Sequence, residues 1–275
     1  MTYSILAVDT TTGTTGAAVA SCVPLDVLER VYGAAPGYGA IVTQSYLLDG
    51  ARDDGLAWLE AGASPAEVLA SLTDPAYDPD AALRQYSVLD LDGGAARLTG
   101  NEALAYAADR GGEVDGIVFA IQGNRLTGDE VLNEAQAAFI TADGCDLAER
   151  LFAALEAGGS GGLGDARCTP HGTPAKSAIL RIDPVGAPAG SQLALAVEAA
   201  GDPPVEDPLA LLEAELASWR ASHACPSATP PSEGGGSTGS DDAGAPEASG
   251  CAVAGAADGG LAVALVFAWL ARRAL

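Results

Sequence analysis

Apolar runs in this chain come as strand pairs closed by tight turns and as paired helices, and that grouping constrains the fold more than any other feature. Residues 3–9 alternate apolar and polar side chains, Thr-Thr-Thr-Gly turns at 10–13, and a small-residue apolar run resumes at 17–21. This is a hairpin pattern. Residues 39–45 read as a further strand, and 85–90 with 95–99 flank Asp92-Gly93-Gly94, a second hairpin signal. A strongly apolar strand at 117–121 ends in Gln122-Gly123-Asn124, and 177–182 and 193–197 read as returning strands. Helices are expected at 24–31, with Pro24 near the first turn, and at 51–61, with Leu56 and Leu59 toward a core. Residues 64–72 open with Ser64-Pro65 and carry Glu67, the pattern of a capping box. Residues 128–141, 146–157 and 208–221 complete the helices, the first two with apolar residues three and four apart. Strands in hairpins and helices in pairs favour α+β layers over a parallel βαβ repeat.

That pattern stops near residue 223. Of residues 226–250, 15 are Pro, Gly or Ser and none is aromatic or a large aliphatic. Such a stretch buries too little to offset its ordering entropy, so 224–250 reads as a disordered linker. Residues 251–275 hold one acid, Asp258, then an uninterrupted apolar run at 261–271, then Arg272-Arg273. A spanning helix needs about 20 apolar residues, which 252–270 barely supply. The arginines would sit on the cytoplasmic side and place the domain (1–223) outside. Met1 leads straight into a strand without a leader, so for an exported domain the true start is expected upstream; with a genuine start the domain would be cytoplasmic.

Charge narrows the partners. Lys plus Arg total 13 against 37 Asp plus Glu, a formal charge of -24. A nucleic-acid partner is excluded, because nothing here neutralises a run of phosphates; neutral or cationic partners are favoured. Composition leaves a homo-oligomer open. The five cysteines (Cys22, Cys145, Cys168, Cys225, Cys251) form no CxxC pair, so zinc-ribbon and thioredoxin-type sites are excluded. Cys145 and Cys168 flank one helix and a Gly-rich loop; they are candidates for a disulfide in an oxidising compartment, or for two buried thiols.

Several motifs dissolve on inspection. The glycines of 158–164 follow a helix and lack a Lys-Ser or Lys-Thr, so they make a surface loop rather than a phosphate cradle. Asp90, Asp92 and Gly93 lack the closing Glu of a calcium loop. The only histidines, His171 and His223, have no triad or metal-site company, and no metal or other cofactor is expected. Thr2 is more informative. Freed as the first residue, by methionine removal or by a signal peptidase, it carries nucleophile and base together. Its α-amine, with a pKa of about 7.7–8.0, takes the hydroxyl proton near neutral pH.

The segments TYSILAVD, TTTGTTGAAVAS, GAIVTQS, GLAWLEAGASPAEVLASL, RQYSVLD, FAIQGNRLTGDEVL and LAERLFAALEAG follow in order. Together they resemble domain of unknown function 1028, grouped with the N-terminal-nucleophile (Ntn) hydrolases, over about residues 2–182. The likeness implies a four-layer αββα sandwich of two antiparallel sheets, with Thr2 at the edge of a cleft. Carried over, Thr2 falls on the nucleophile position, and Thr43-Gln44 and Gln122-Gly123-Asn124 fall on polar ends of neighbouring strands. Amides there would donate to an oxyanion, or bond the backbone of the next turn. Asp9 would orient the amine at the substrate site, or open the turn that follows it. Leu98-Thr99-Gly100 departs from an expected His-Thr-Gly. Gly250-Cys251 with the apolar segment and terminal arginines resembles myxobacterial C-terminal sorting tags, Cys251 being the processed or lipidated residue. The resulting expectation is an envelope-displayed amidohydrolase of small amide or peptide-like substrates, acting through an acyl-enzyme on Thr2. The alternative is a non-catalytic module binding a small ligand.

Overall fold

A computed structural model of the chain describes residues 2–186 and 192–225. The chain opens with β1 (Thr2–Asp9) and β2 (Thr14–Ser21), paired antiparallel from Tyr3↔Ala20 to Asp9↔Thr14. Asp9 builds the turn between them: its Oδ1 accepts Thr11 N at 2.8 Å, Thr11 Oγ1 at 2.6 Å and Thr12 N at 3.2 Å. Burial works to raise this carboxyl, but the hydrogen bonds from Thr11 and Thr12 outweigh it and hold it below the usual range. There follow α1 (Leu25–Leu28), β3 (Tyr32–Ala35), β4 (Gly39–Ser45), α2 (Ala51–Glu60) and α3 (Pro65–Leu72). Helix α3 starts at the expected capping box, with Glu67 N donating to Ser64 Oγ and Ser64 N to Glu67 Oε2. Then come β5 (Arg84–Asp90), β6 (Ala95–Thr99), β7 (Ala108–Val114), β8 (Ile117–Asn124), α4 (Glu130–Thr141) and α5 (Leu147–Gly159). The order closes with β9 (Ser177–Asp183), β10 (Leu193–Glu198) and α6 (Pro208–Ser222).

The strands form two antiparallel sheets, ordered β10-β9-β2-β1-β8-β7 and β3-β4-β5-β6. Side-chain alternation at period two sorts their residues into three cores. Tyr3, Ile5 and Ala7 face Leu132, Phe139, Leu151, Leu155 and Leu212 of the helices α4, α5 and α6. Leu6, Val8, Ala17 and Val19 instead meet Ala40, Val42 and Leu89 of the second sheet. The far face of that sheet, with Ile41, Tyr86 and Val88, packs under Ala51, Leu59, Val68 and Leu72 of α2 and α3. Helix, sheet, sheet and helix layers therefore stack as an α+β sandwich, the architecture expected.

Three local expectations change. The helix at 24–31 shortens to one turn, because the chain enters β3 at Tyr32, which pairs with Val42. Strand β7 reads ADRGGEV and carries no apolar alternation, since it lies at a sheet edge with no residue fully buried. Its glycines admit the neighbour: a Cβ at Gly111 would sit 2.7 Å from Phe119 O. Cys145 and Cys168 do not pair with each other. Cys168 is bonded to Cys22 and Cys145 to Cys225, with Cα–Cα separations of 5.7 and 5.6 Å. The 13-residue helix α5 carries the chain about 20 Å away from Cys145. The loop beyond it then docks on the end of β2, where Asp165 Oδ2 accepts Cys22 N at 2.8 Å.

Ala224 and Cys225 apart, the expected linker lies outside the described residues, as do the anchor segment at 251–275 and Cys251. No helix among the described residues is long and apolar enough to cross a membrane.

Candidate functional site

The layer between the two sheets changes character along its length. On the inward faces, β1 runs from Leu6 and Val8 to Ser4 and Thr2, and β8 from Val118 and Ala120 to Gln122 and Asn124. Strand β4 runs likewise from Ala40 and Val42 to Gln44, and β5 from Leu89 to Ser87 and Gln85. The registers Thr2↔Asn124, Ser4↔Gln122 and Gln44↔Gln85 bring all of these polar ends to one end of the sandwich. Every one of them is buried, Thr2 included at 4% exposure. Buried polar groups are as a rule hydrogen-bonded, and here all but two amide atoms bond within the cluster or to nearby backbone.

Gln85 is the hub. Its Oε1 accepts Gln44 Nε2 at 3.0 Å and Asn124 Nδ2 at 2.8 Å. Its Nε2 donates to Gly123 O at 2.8 Å and Thr99 Oγ1 at 3.0 Å. Thr99 Oγ1 in turn donates to Asp109 Oδ2 at 2.7 Å. Gln44 receives Ser4 Oγ at 2.8 Å on its Oε1 and gives its other Nε2 hydrogen to the Thr2 carbonyl at 3.3 Å. The Thr2 hydroxyl donates to Ser21 Oγ at 3.2 Å, and Ser87 Oγ donates to Gln122 Oε1 at 2.7 Å. Two buried amide atoms have no hydrogen-bond partner: Gln122 Nε2 and Asn124 Oδ1.

The strand ends that leave this cluster are strained. Ser45, directly after Gln44, and Arg125, directly after Asn124, have φ of 74° and 50°, a left-handed backbone uncommon outside glycine. Arg84 pins the start of β5: its Nε meets Asp78 Oδ2 at 2.9 Å and its Nη1 donates to Tyr46 O at 2.8 Å. The guanidinium beside Asp78 holds that carboxyl below the usual range.

Of the expected site residues, Thr2, Gln44, Gln122 and Asn124 are therefore together. Gly123 contributes through its carbonyl alone, and the space where its side chain would stand is filled by Leu126. Thr43 points the opposite way from Gln44, as period two requires. It lines a cavity of about 200 Å³ with Arg30, Arg52 and Asp53 near the start of α2. Asp9 does not join the cluster: seven residues along β1 place it about 24 Å from Thr2. Its role is the hairpin turn. Leu98 pairs with Tyr86 and packs toward α3, whereas Thr99 belongs to the cluster. The departure at 98 thus lies on the sheet's other face. Gln85, Ser4, Ser21 and Ser87 were not anticipated. The available signal was polar residues two apart at a strand end, repeated in Thr2/Ser4, Gln85/Ser87 and Gln122/Asn124.

One group of metal-ligand side chains lies within mutual reach among the described residues, Cys145, Asp146 and Glu149. Cys145 is in a disulfide, and Arg220 Nη2 holds Asp146 at 2.8 Å and Glu149 at 2.9 Å. A separate cavity of about 320 Å³ is walled by the 159–163 loop, Thr173 and the start of α6. Glu156, Asp207 and Glu213 edge it, and it has no basic lining residue. Thr173 Oγ1 is buried there without a hydrogen-bond partner.

Over residues 2–207 the chain matches a family model described as a family of unknown function, DUF1028. It is similar in structure to protein SPO2555 from Silicibacter pomeroyi, which carries the same family model, with a TM-score of 0.65 and 25% identity. The superposition covers 80% of this chain and 89% of that one. No curated protein matches.

Proposed function

The chain belongs to the DUF1028 family, and from that premise we propose that it is an N-terminal-nucleophile hydrolase of small amides, with Thr2 as the nucleophile. One observation carries the reading. Thr2 heads a central strand, its hydroxyl and carbonyl are both held, and an unpartnered amide donor, Gln122 Nε2, lies on the neighbouring strand. Cleavage of the peptide bond before Thr2 would free its amine. That amine takes the hydroxyl proton as Oγ1 attacks the substrate carbonyl. The C–N bond then breaks, the proton leaves on the departing amine, and water hydrolyses the resulting threonyl ester to a carboxylate.

Gln122 is the natural oxyanion donor, because its Nε2 gives up no existing bond; Asn124 Nδ2 has one hydrogen committed to Gln85. Gln44 has both hydrogens engaged, so in this reading it positions Thr2 rather than donating to substrate. No cofactor enters the step. The two disulfides favour an oxidising compartment and hence an exported domain.

A second reading rests on the acidic cavity beside α6, which suits a small cationic ligand in a non-catalytic module. Intact mass and N-terminal sequencing of the protein from its native envelope separate the two. A chain beginning at Thr2 that forms a covalent acyl adduct on Thr2 with amide substrates supports the hydrolase. A Thr2 amine still in peptide linkage in the native protein ends that reading and leaves the binding module.

A further inference from the structure

The described residues hold eleven lysine and arginine side chains, and ten of them are in ion pairs, from Arg30 with Asp49 to Arg220 with Asp146 and Glu149. The exception among them is Arg125. In a chain with 37 acidic residues, pairing is easy to find, so the one lysine or arginine left without it among the described residues is informative. Arg125 is also partly buried, where an uncompensated charge is costly. Its place in the fold is fixed. It follows Asn124, whose Cα pairs with that of Thr2. Its backbone is clamped on both sides, with Arg125 N donating to Leu104 O at 2.7 Å and Ala166 N to Arg125 O at 3.0 Å. Those bonds hold it in the left-handed conformation.

Three carboxylates on adjoining segments are already engaged. Asp165, opposite Leu126 in an isolated bridge, accepts Arg167 N and Nε on Oδ1, and Arg167 Nη2 and Cys22 N on Oδ2. Asp109, opposite Gln122 on β7, accepts Arg97 and Thr99. Asp129, beyond Leu126, is held by Arg110, Asn133 and Tyr106. A clamped arginine with no ion-pair partner, one residue from the head of the Thr2 strand pair, is free to pair with an anion from outside.

We infer that Arg125 reads a carboxylate on the acyl part of the substrate, a few bonds from the carbonyl that Thr2 attacks. The inference rests on the Thr2 reading and narrows its substrates to amides of dicarboxylic acids or of acidic acyl groups. The overall charge of -24 opposes such a ligand at long range. Screening over about 8 Å at physiological salt leaves the local guanidinium dominant, and a planar fork suits a carboxylate.

The test uses two matched probes, glutaryl 4-nitroanilide and its carboxamide-ended isostere, with wild type and Arg125→Met, each beginning at Thr2. Binding is read by calorimetry and turnover by nitroaniline release. The wild type should favour the carboxylate probe about tenfold to a hundredfold in binding, the worth of one charge-assisted pair. R125M should bind both probes alike, at the affinity the wild type has for the carboxamide. Equal wild-type binding of the two probes, binding of neither, or a preference that survives in R125M overturns the inference. Turnover of both probes without preference leaves the hydrolase standing and removes Arg125 from recognition. Carboxylate-selective binding without turnover does the reverse.

Discussion

The space between the two sheets ends in two buried polar clusters that obey different chemistry. At the Thr2 end the buried side chains are hydroxyls and amides, and the carboxylate they reach, Asp109, lies half-buried beyond Thr99. At the other end Tyr32 OH donates to Asp183 Oδ2 at 2.7 Å and Thr15 Oγ1 to the Asp183 carbonyl at 3.3 Å, while Asp183 Oδ1 has no partner. Burial pushes the Asp183 carboxyl above its usual range, against the pull of the Tyr32 hydrogen bond and Arg181. The same desolvation lifts Tyr32, as does the charge of Asp183. The buried side chains at one end of the layer are thus neutral, and those at the other are built around a carboxyl. A site that must hold its geometry while protons move through a substrate belongs at the neutral end.

The largest break in this contrast comes from Gln85. Gln85→Leu keeps the volume but takes the acceptor from Asn124 Nδ2 and from one hydrogen of Gln44 Nε2, and the side-chain donor from the Gly123 carbonyl. Each buried orphan costs about 1–3 kcal/mol, so the variant should lose about 3–5 kcal/mol in denaturant unfolding. A loss under about 1 kcal/mol would mean that water already serves these groups, and that the neutral end is not the closed network described above.

The importance of Gln85 was not legible in the sequence, and the reason is physical. Period-two alternation reports which face of a strand is polar; Thr2 stood out instead as a potential N-terminal nucleophile, and Gln122 and Asn124 through the family resemblance. Alternation says nothing of which strands meet across the layer, and Gln85 is central only because its partners come from β4, β6 and β8. The disulfides failed in the same way. Cys22–Cys168 and Cys145–Cys225 span 146 and 80 residues, far beyond the helix-and-loop reach that suggested Cys145 with Cys168. Local signals fared better: the Asp9 turn and the Ser64/Glu67 capping box are set by neighbours within four residues. Strand β7 lacks any such signal, because an edge strand with both faces partly wet needs no apolar alternation.

The titrating end sharpens the comparison through pH. A carboxyl whose folded pKa is raised contributes stability that is fully present below its unfolded pKa, about 3.9, and is lost as pH climbs through the folded value. Asp183→Asn keeps an oxygen for Tyr32 and removes the titration. The variant should match wild type near pH 4 and exceed it at neutral pH, the gap opening as the wild-type carboxyl ionises. Denaturant midpoints across that range measure it. Parallel profiles for the two proteins would place the ionised Asp183 in a solvated setting and erase the contrast.

The smallest effect on folding should come from Thr2 itself. Thr2→Val removes the hydroxyl without opening a cavity, and one hydrogen bond of 3.2 Å to Ser21 disappears. A single neutral hydrogen bond is worth about 0.5–1.5 kcal/mol net. Residue 2 otherwise keeps its strand pairing with Asn124 and its carbonyl bond from Gln44. Unfolding free energy should therefore fall by about 1 kcal/mol, with an unchanged pH profile, because nothing ionisable is touched. Loss of amide turnover with so small a change in stability would separate chemistry from scaffold at the neutral end. A loss as large as that of Gln85→Leu would instead make Thr2 a structural member of the network, its hydroxyl buried to hold strands together rather than to attack a substrate.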